Sequence, residues 1–298
     1  MGGETAVAEV RTEFEAMLLA KPNAVLAGEV SWGFSDMDRF FGPLAPGQLV
    51  ILAARPSVGK SSLMRQTAYD SLKTGKAAYI ASLEVKDRAI ARNMAQALSG
   101  ISYRGLRAGA HPADADDFRR ALAQVESLQL RVSDDFSATV SQICAQARLA
   151  KAKSNLGLVC VDHLHELAEY KNPPKGTNTA QAYGRAVKAF KELAGELEVP
   201  VLVLAQLNRG SESDKRVPTL SDLRDSGNIE EAADKVVLLH RPPETNAGIA
   251  QSETSNPREC PTFFTMAIQA KGRDDGTSSI GLSFQRASAR FVQLAPAK

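Results

Sequence analysis

From about residue 28 onward, short continuous apolar runs alternate with stretches in which apolar residues recur every three or four positions. The runs at 49–54, 77–82, 128–132, 156–162 and 200–205 predict strands buried on both faces. Between them, 60–74, 86–98, 114–127, 138–153 and 180–198 predict amphipathic helices. Val140, Ile143, Cys144 and Ala147 follow the i, i+3, i+4, i+7 rule, as do Val187, Phe190, Ala194 and Leu197. This alternation predicts an α/β fold with a mostly parallel central sheet flanked by helices. The last third differs: strands near 235–239, 262–269, 278–284 and 290–294 are joined by turn-rich polar segments, which predicts an antiparallel carboxy-terminal extension. Residues 171–179 and 241–261, rich in turn formers, read as exposed loops. Ahead of the core, Val7, Val10, Phe14, Met17 and Leu18 share a helical face within residues 5–20, and Pro22-Asn23 then breaks the pattern. The division expected is therefore a separate helix in 1–27 and one principal domain over 28–298.

Composition narrows the picture. A chain of 298 residues with 44% hydrophobic content can bury one large core, and a net charge of +2 offers no global basic field for nucleic acid, so any DNA contact must be local. Cys144, Cys160 and Cys260 match no zinc spacing and read as reduced structural residues. With no signal peptide and no run of membrane-spanning length, a cytoplasmic protein without membrane contact is expected.

The first candidate chemistry lies where strand 49–54 meets helix 60–74, in Ala54-Arg55-Pro56-Ser57-Val58-Gly59-Lys60-Ser61-Ser62. A small-residue turn between a strand and a helix points successive backbone N–H groups at a phosphate. Lys60 then reaches the terminal phosphate oxygens as a point charge, and the Ser61 hydroxyl can ligate Mg²⁺. The usual pattern opens with Gly where this chain has Ala54, so the turn must be made without a flexible first residue.

Three further strand ends carry polar groups to the same edge of the predicted sheet, the edge at which parallel sheets bind ligands. Asp162 ends strand 156–162 and is placed to hold Mg²⁺ through water. Glu84 follows strand 77–82 and can orient an attacking water; the competing reading is a solvent-facing Glu opening the next helix. Gln206 follows strand 200–205 and can sense whether a γ-phosphate is present.

These phrases join others into a pattern over roughly residues 28 to 295: Trp-Gly-Phe-Ser-Asp-Met-Asp at 32–38, the loop at 54–61, Ser-Leu-Glu at 82–84, Gln-Leu-Asn-Arg at 206–209, Leu-Ser-Asp-Leu-Arg-Asp-Ser-Gly-Asn-Ile-Glu at 220–230 and Lys-Gly-Arg at 271–273. The chain resembles the motor domain of DnaB-type replicative helicases, a RecA-like ring ATPase. An Ala-Arg-Pro-Ser turn is that family's own phosphate loop. The resemblance implies that Glu84 is the catalytic carboxylate, Asp162 the Mg²⁺-associated acid and Gln206 the link between phosphate state and movement. It implies that Lys271 and Arg273 enter a neighbouring subunit's ATP site, Arg273 as arginine finger. From sequence alone those two residues read as a solvated basic hairpin beside Asp274 and Asp275.

Residues 220–230 resemble the loop with which such rings hold single-stranded DNA, with Arg224, Asp225 and Gly227 at the matching positions and Asp225 replacing the usual Glu. Arg209, Lys215 and Arg216 can add local positive charge, and a plain charged turn is the competing reading. Where the family continues Tyr-Leu-Gln after the acid, this chain has His163-Leu164-His165. An alternating His pair suggests a metal, but with no third His nearby a loop variation is the reading.

The implied function is an ATP- and Mg²⁺-dependent ring helicase translocating 5′ to 3′ on single-stranded DNA in replication. Its partners would be copies of itself, with a hexamer expected, and a helicase loader is a candidate. The short segment before the motor puts primase contact in doubt and leaves 5–20 as a linker helix for an adjacent subunit or a helix folded on its own core. The alternatives are a RecA-fold regulatory or recombination ATPase that binds DNA or a partner helicase without unwinding, and a non-hydrolysing ring partner. Intact Lys60, Glu84 and Asp162 speak against the last.

Overall fold

The computed structural model describes residues 24–109, 111–173, 178–208, 216–223, 226–243, 262–273 and 276–294, with 11, 12, 19 and 176 as isolated positions. In chain order the elements are α1 (Ser35–Phe41), β1 (Leu49–Ala54), α2 (Lys60–Lys73), β2 (Ala77–Ser82), α3 (Asp87–Ser99), α4 (Tyr103–Arg107), α5 (Pro112–Glu126), β3 (Leu130–Ser133), α6 (Val140–Lys153), β4 (Leu156–Asp162), α7 (Ala168–Lys171), α8 (Thr179–Leu197), β5 (Val201–Gln206), α9 (Ser226–Ala232), β6 (Lys235–His240), β7 (Thr262–Gly272), β8 (Ser278–Gln285) and β9 (Arg290–Gln293). Short 3₁₀ turns occupy Leu164–Glu166 and Leu220–Asp222. The predicted helix at 5–20 and most of the 241–261 segment lie outside the described residues, as does Cys260.

The nine strands of the described residues join one sheet in the order β3-β2-β4-β5-β1-β6-β7-β8-β9. The first six run parallel and β7, β8 and β9 continue antiparallel. Alternate residues of the buried strands feed two cores. Val50, Leu52, Ile80, Cys160, Leu204 and Val237 face the side covered by α1, α2, α3 and α5. Leu49, Ile51, Val159, Val161, Val203 and Leu238 face the side covered by α6, α8 and α9. No helix of the described residues is long and apolar enough to cross a membrane. Cys144 and Cys160 are free and buried, and burial pushes both thiols up, which keeps them protonated and inert.

Capping moves the helix boundaries from those the periodicity predicts. Helix α6 starts at Val140 because Thr139 and Gln142 form a reciprocal capping box, and Asn178 with Gln181 does the same for α8. Helix α5 starts early, at Pro112, because proline suits a first turn and the His111 ring accepts from the Ala113 N–H at 3.2 Å. Two buried charges tie the far end of the sheet together. The Lys235 ammonium, 2% exposed, donates to the Phe41, Gly42 and Pro43 carbonyls at the end of α1. Asp234 accepts from the Leu49 N–H and Lys191 Nζ, both at 2.7 Å, and pairs with Arg273 at 3.1 Å.

Candidate functional site

Strands β2, β4, β5 and β1 lie side by side, so their carboxy-terminal ends present neighbouring groups about 4.8 Å apart per strand. Ser82 pairs with Asp162 and Ala54 with Gln206. Glu84, Asp162, Gln206 and the 54–62 loop therefore meet at one edge. Asp162 is buried and Glu84 exposed, and the Leu83 N–H donates to the Asp162 carbonyl at 2.8 Å, fixing the Glu84 turn against the acid.

Ala54 is the last residue of β1, and the loop takes its left-handed angles at Ser57 (φ 63°) and Gly59 (φ 122°). A Cβ on Gly59 would stand 2.7 Å from Phe291 Cζ and 2.9 Å from its Cε2, so the loop is seated directly on an aromatic ring. Lys60, only 8% exposed, opens α2 with Ser61 and Ser62. The first-turn amides of a helix lack internal acceptors and make an anion site. Arg65, one turn further on, is buried and donates to Ser62 Oγ at 3.2 Å; burial brings its guanidinium down to about 10, and nearby Asp162 opposes that shift. It stays charged at neutral pH.

The histidines after Asp162 go to different neighbours. His165 accepts from the Gln206 N–H at 3.4 Å and packs edge-on to Tyr170 with ring centroids 5.1 Å apart. His163 turns towards Glu84 and Asp162, and the three can bring ligand atoms within 4.8 Å of one another. Burial, then the Lys60 charge, holds the His163 imidazole down to about 4, so it is neutral at pH 7.

Three groups at this edge were missed by the sequence reading. Arg241, just past β6, donates to the Ser57 and Val58 carbonyls at 3.4 and 3.0 Å, and its guanidinium lies 4.4 Å from the Phe263 ring centre and 5.2 Å from that of Phe284. Phe284 and Phe291 pack with their rings tilted at 47° and centroids 4.7 Å apart. An arginine at the end of a strand that neighbours β1, opposite aromatics spaced along the last hairpin, is the signal that could have found them.

Lys271 and Arg273 are not at this edge. Lys271 pairs with Val236, which is level with Ile51, roughly 10 Å below the start of the loop at about 3.3 Å per residue. The Lys271 ammonium donates to the Glu230 and Ala233 carbonyls, capping the end of α9, and Arg273 donates to the Glu231 carbonyl at 3.1 Å. They are thus anchored donors rather than a solvated hairpin, with Arg273 half-exposed.

Of the candidate DNA residues, Arg209, Arg224 and Asp225 lie outside the described residues, as does Lys215. Gly227 lies in the first turn of α9, not in a loop, with open space where a side chain would stand. Arg216 does not contribute free positive charge: its guanidinium forks onto Asp222 with two 2.7 Å bonds. A bridge between Leu207 and Leu223, with the Asn208 N–H on the Asp222 carbonyl at 2.8 Å, ties the segment after Gln206 to the segment before α9.

A family model, the DnaB-like helicase C terminal domain, matches residues 29–293. The chain belongs to that family. It is 34% identical over 273 residues to the replicative DNA helicase DnaB of Leifsonia xyli subsp. xyli (strain CTCB07), covering 90% of this chain and 56% of that one. It is also 34% identical over 266 residues to the DnaB of Geobacillus stearothermophilus, covering 88% and 56%. The chain thus spans about 56% of the length of these curated relatives. A solved ATPase domain superposes with a TM-score of 0.82 at 25% identity, over 99% of this chain and 100% of that one. A DnaB-like replicative helicase, solved in a study that includes its interactions with primase, superposes with a TM-score of 0.83 at 24% identity, over 97% and 68%. The fold is therefore the RecA-like one of DnaB ATPase domains, with the antiparallel extension as predicted.

Proposed function

We propose that this DnaB-like domain is the motor of a replicative ring helicase, hydrolysing ATP to translocate 5′ to 3′ on single-stranded DNA. Residues 28–298 are the motor domain in this reading, and the protein works as a cytoplasmic homo-oligomer, a hexamer as the family resemblance implies. The observation that carries the reading is the division of the machinery between two ends of the sheet. Lys60, Glu84, Asp162 and Gln206 converge at one edge, while Lys271 and Arg273 are held at the other.

In this reading the loop amides and Lys60 bind the triphosphate. Ser61 and Asp162 would hold Mg²⁺; Asp162 Oδ1 is buried with no hydrogen-bond partner among the described residues, which fits a cation there. The ion supplies charge neutralisation at the phosphates. Glu84 polarises the attacking water. Gln206 feels the γ-phosphate and passes its state through the Leu207–Leu223 bridge to α9, where the Gly227 amide and the neighbouring Arg224, with Arg209, contact the DNA backbone without reading bases. Arg273, donated by a neighbour with Lys271 beside it, stabilises charge that appears only in the transition state.

The test is ATP hydrolysis by verified assemblies, with and without unstructured single-stranded DNA. DNA should stimulate the wild type. Lys60→Ala and Arg273→Ala assemblies should each lose at least about 10³-fold in rate, and mixing the two should restore part of it through interfaces pairing an intact loop with an intact finger. Hydrolysis indifferent to DNA would favour a regulatory ATPase, and mixed assemblies without recovery would refute the finger's action between subunits.

A further inference from the structure

We propose that Glu84, Asp162 and His163 form a binding site for a first-row divalent ion of the imidazole-binding class, such as Zn²⁺, Co²⁺ or Mn²⁺, in the nucleotide-free protein. His163 is 1% exposed, and neither ring nitrogen has a hydrogen-bond partner among the described residues. A buried imidazole without partners is costly, since its hydrogen bonds to water are lost and not replaced. The ring lies beside Asp162, which is 4% exposed and whose Oδ1 is likewise unpartnered among the described residues. Two adjacent buried residues thus aim unsatisfied lone pairs into one place.

Glu84 supplies a third donor from the neighbouring strand end. The ligand atoms of all three fall within 4.8 Å of one another. Ligands at about 2.0–2.2 Å from a common ion lie at most about 4.4 Å apart, so a modest closure completes the set. Glu84 is exposed and can make that movement, whereas Asp162 and His163 are held by their surroundings. Open positions on the ion would be filled by water.

The donor set decides the ion. Mg²⁺ prefers an all-oxygen octahedron and gains little from a nitrogen, while one imidazole with two carboxylates suits Mn²⁺, Co²⁺ and Zn²⁺. The site rests on the proposed nucleotide site in that it borrows Glu84 and Asp162 from it. An ion bound there would withdraw Glu84 from water positioning, so occupancy and hydrolysis compete.

The experiment is a Co²⁺ titration of the nucleotide-free full chain in millimolar Mg²⁺, reading the visible absorption bands of the bound ion, with nitrogen-coupled EPR on the Mn²⁺-loaded protein as second readout. One Co²⁺ per chain and a directly bound nitrogen are expected. His163→Gln should weaken Co²⁺ at least 10-fold and abolish the nitrogen signal, while His111→Gln, at an exposed position ahead of α5, should leave both unchanged. Thermal unfolding checks that the variant is folded; should His163→Gln fail to fold, Glu84→Gln at its exposed position should weaken Co²⁺ at least several-fold. The absence of saturable one-to-one binding in the wild type, or full affinity and an intact nitrogen signal in folded His163→Gln, would overturn the proposal. MgATP binding measured separately keeps the two readings apart: loss of ATP binding with intact Co²⁺ binding would count against the nucleotide site alone.

Discussion

Replacing Gly59 with alanine tests how the phosphate loop is supported. The residue sits at φ 122°, where an L side chain is strained by about 1–3 kcal/mol. Its new Cβ would also stand 2.7 and 2.9 Å from two carbons of the Phe291 ring, well inside an ordinary contact of about 3.5–4.0 Å. Phe291 is 2% exposed and packed against Phe284, so the ring has little room to withdraw, and overpacking of this kind costs about 1–3 kcal/mol. Against these stands a gain of about 0.4–1 kcal/mol from stiffening the unfolded chain. The net expectation is a loss of about 1–5.6 kcal/mol, read as a fall in the urea midpoint and accompanied by loss of nucleotide binding. The same substitution in a Phe291→Leu background separates the two causes: removing the ring edge should leave only the backbone share, giving a coupling of about 1–3 kcal/mol. If Gly59→Ala costs less than about 1 kcal/mol, or the coupling is absent, then the loop does not rest on Phe291 and the last strand has no part in shaping the site.

Two further outcomes concern stability. Lys235→Met should cost about 2–4 kcal/mol in calorimetry, because the carbonyls of Phe41, Gly42 and Pro43 lose their buried donor; an unchanged melting temperature would mean water replaces the ammonium at no cost. His240 is held below its ordinary value of 6.5 by burial and then by Arg55, so its folded pKa lies under the unfolded one and the native state binds its proton less readily. Its contribution to stability is complete above pH 6.5 and is lost as the pH falls below it. Urea midpoints between pH 7 and 5 should therefore fall less steeply in His240→Gln than in the wild type, and parallel slopes would dismiss this source.

The strands were legible because a run such as Leu156 to Asp162, apolar until its end, admits few other readings, and their order followed from the alternation with helices. Helices α1 and α4 were not, because each is short enough to need help from elsewhere: the end of α1 is held by Lys235, some two hundred positions away in the chain. Helix α9 was hidden inside what read as a loop. At the candidate site the polar strand ends stood out, since a carboxylate closing an apolar run is conspicuous. The Arg241, Phe284 and Phe291 support did not, because it exists only once β6 to β9 have folded back beside β1. The grouping of His163 with Glu84 was hidden for a related reason: Glu84 arrives across the sheet from β2 rather than along the chain.

The position of β1 bears on the order in which the protein can be built. The strand that leads into the phosphate loop is flanked by β5 and β6, with Leu49 against Val201 and Val50 against Lys235, so it has no early partner in the chain. During synthesis β1 emerges with both edges unpaired and must wait for most of the molecule before it can enter the sheet, a delay characteristic of long-range parallel pairing. The loop waits longer still, until Phe291 arrives to bear it. A ribosome that stops before the last strand releases a sheet whose phosphate loop keeps Arg241 and Phe284 but lacks the Phe291 ring.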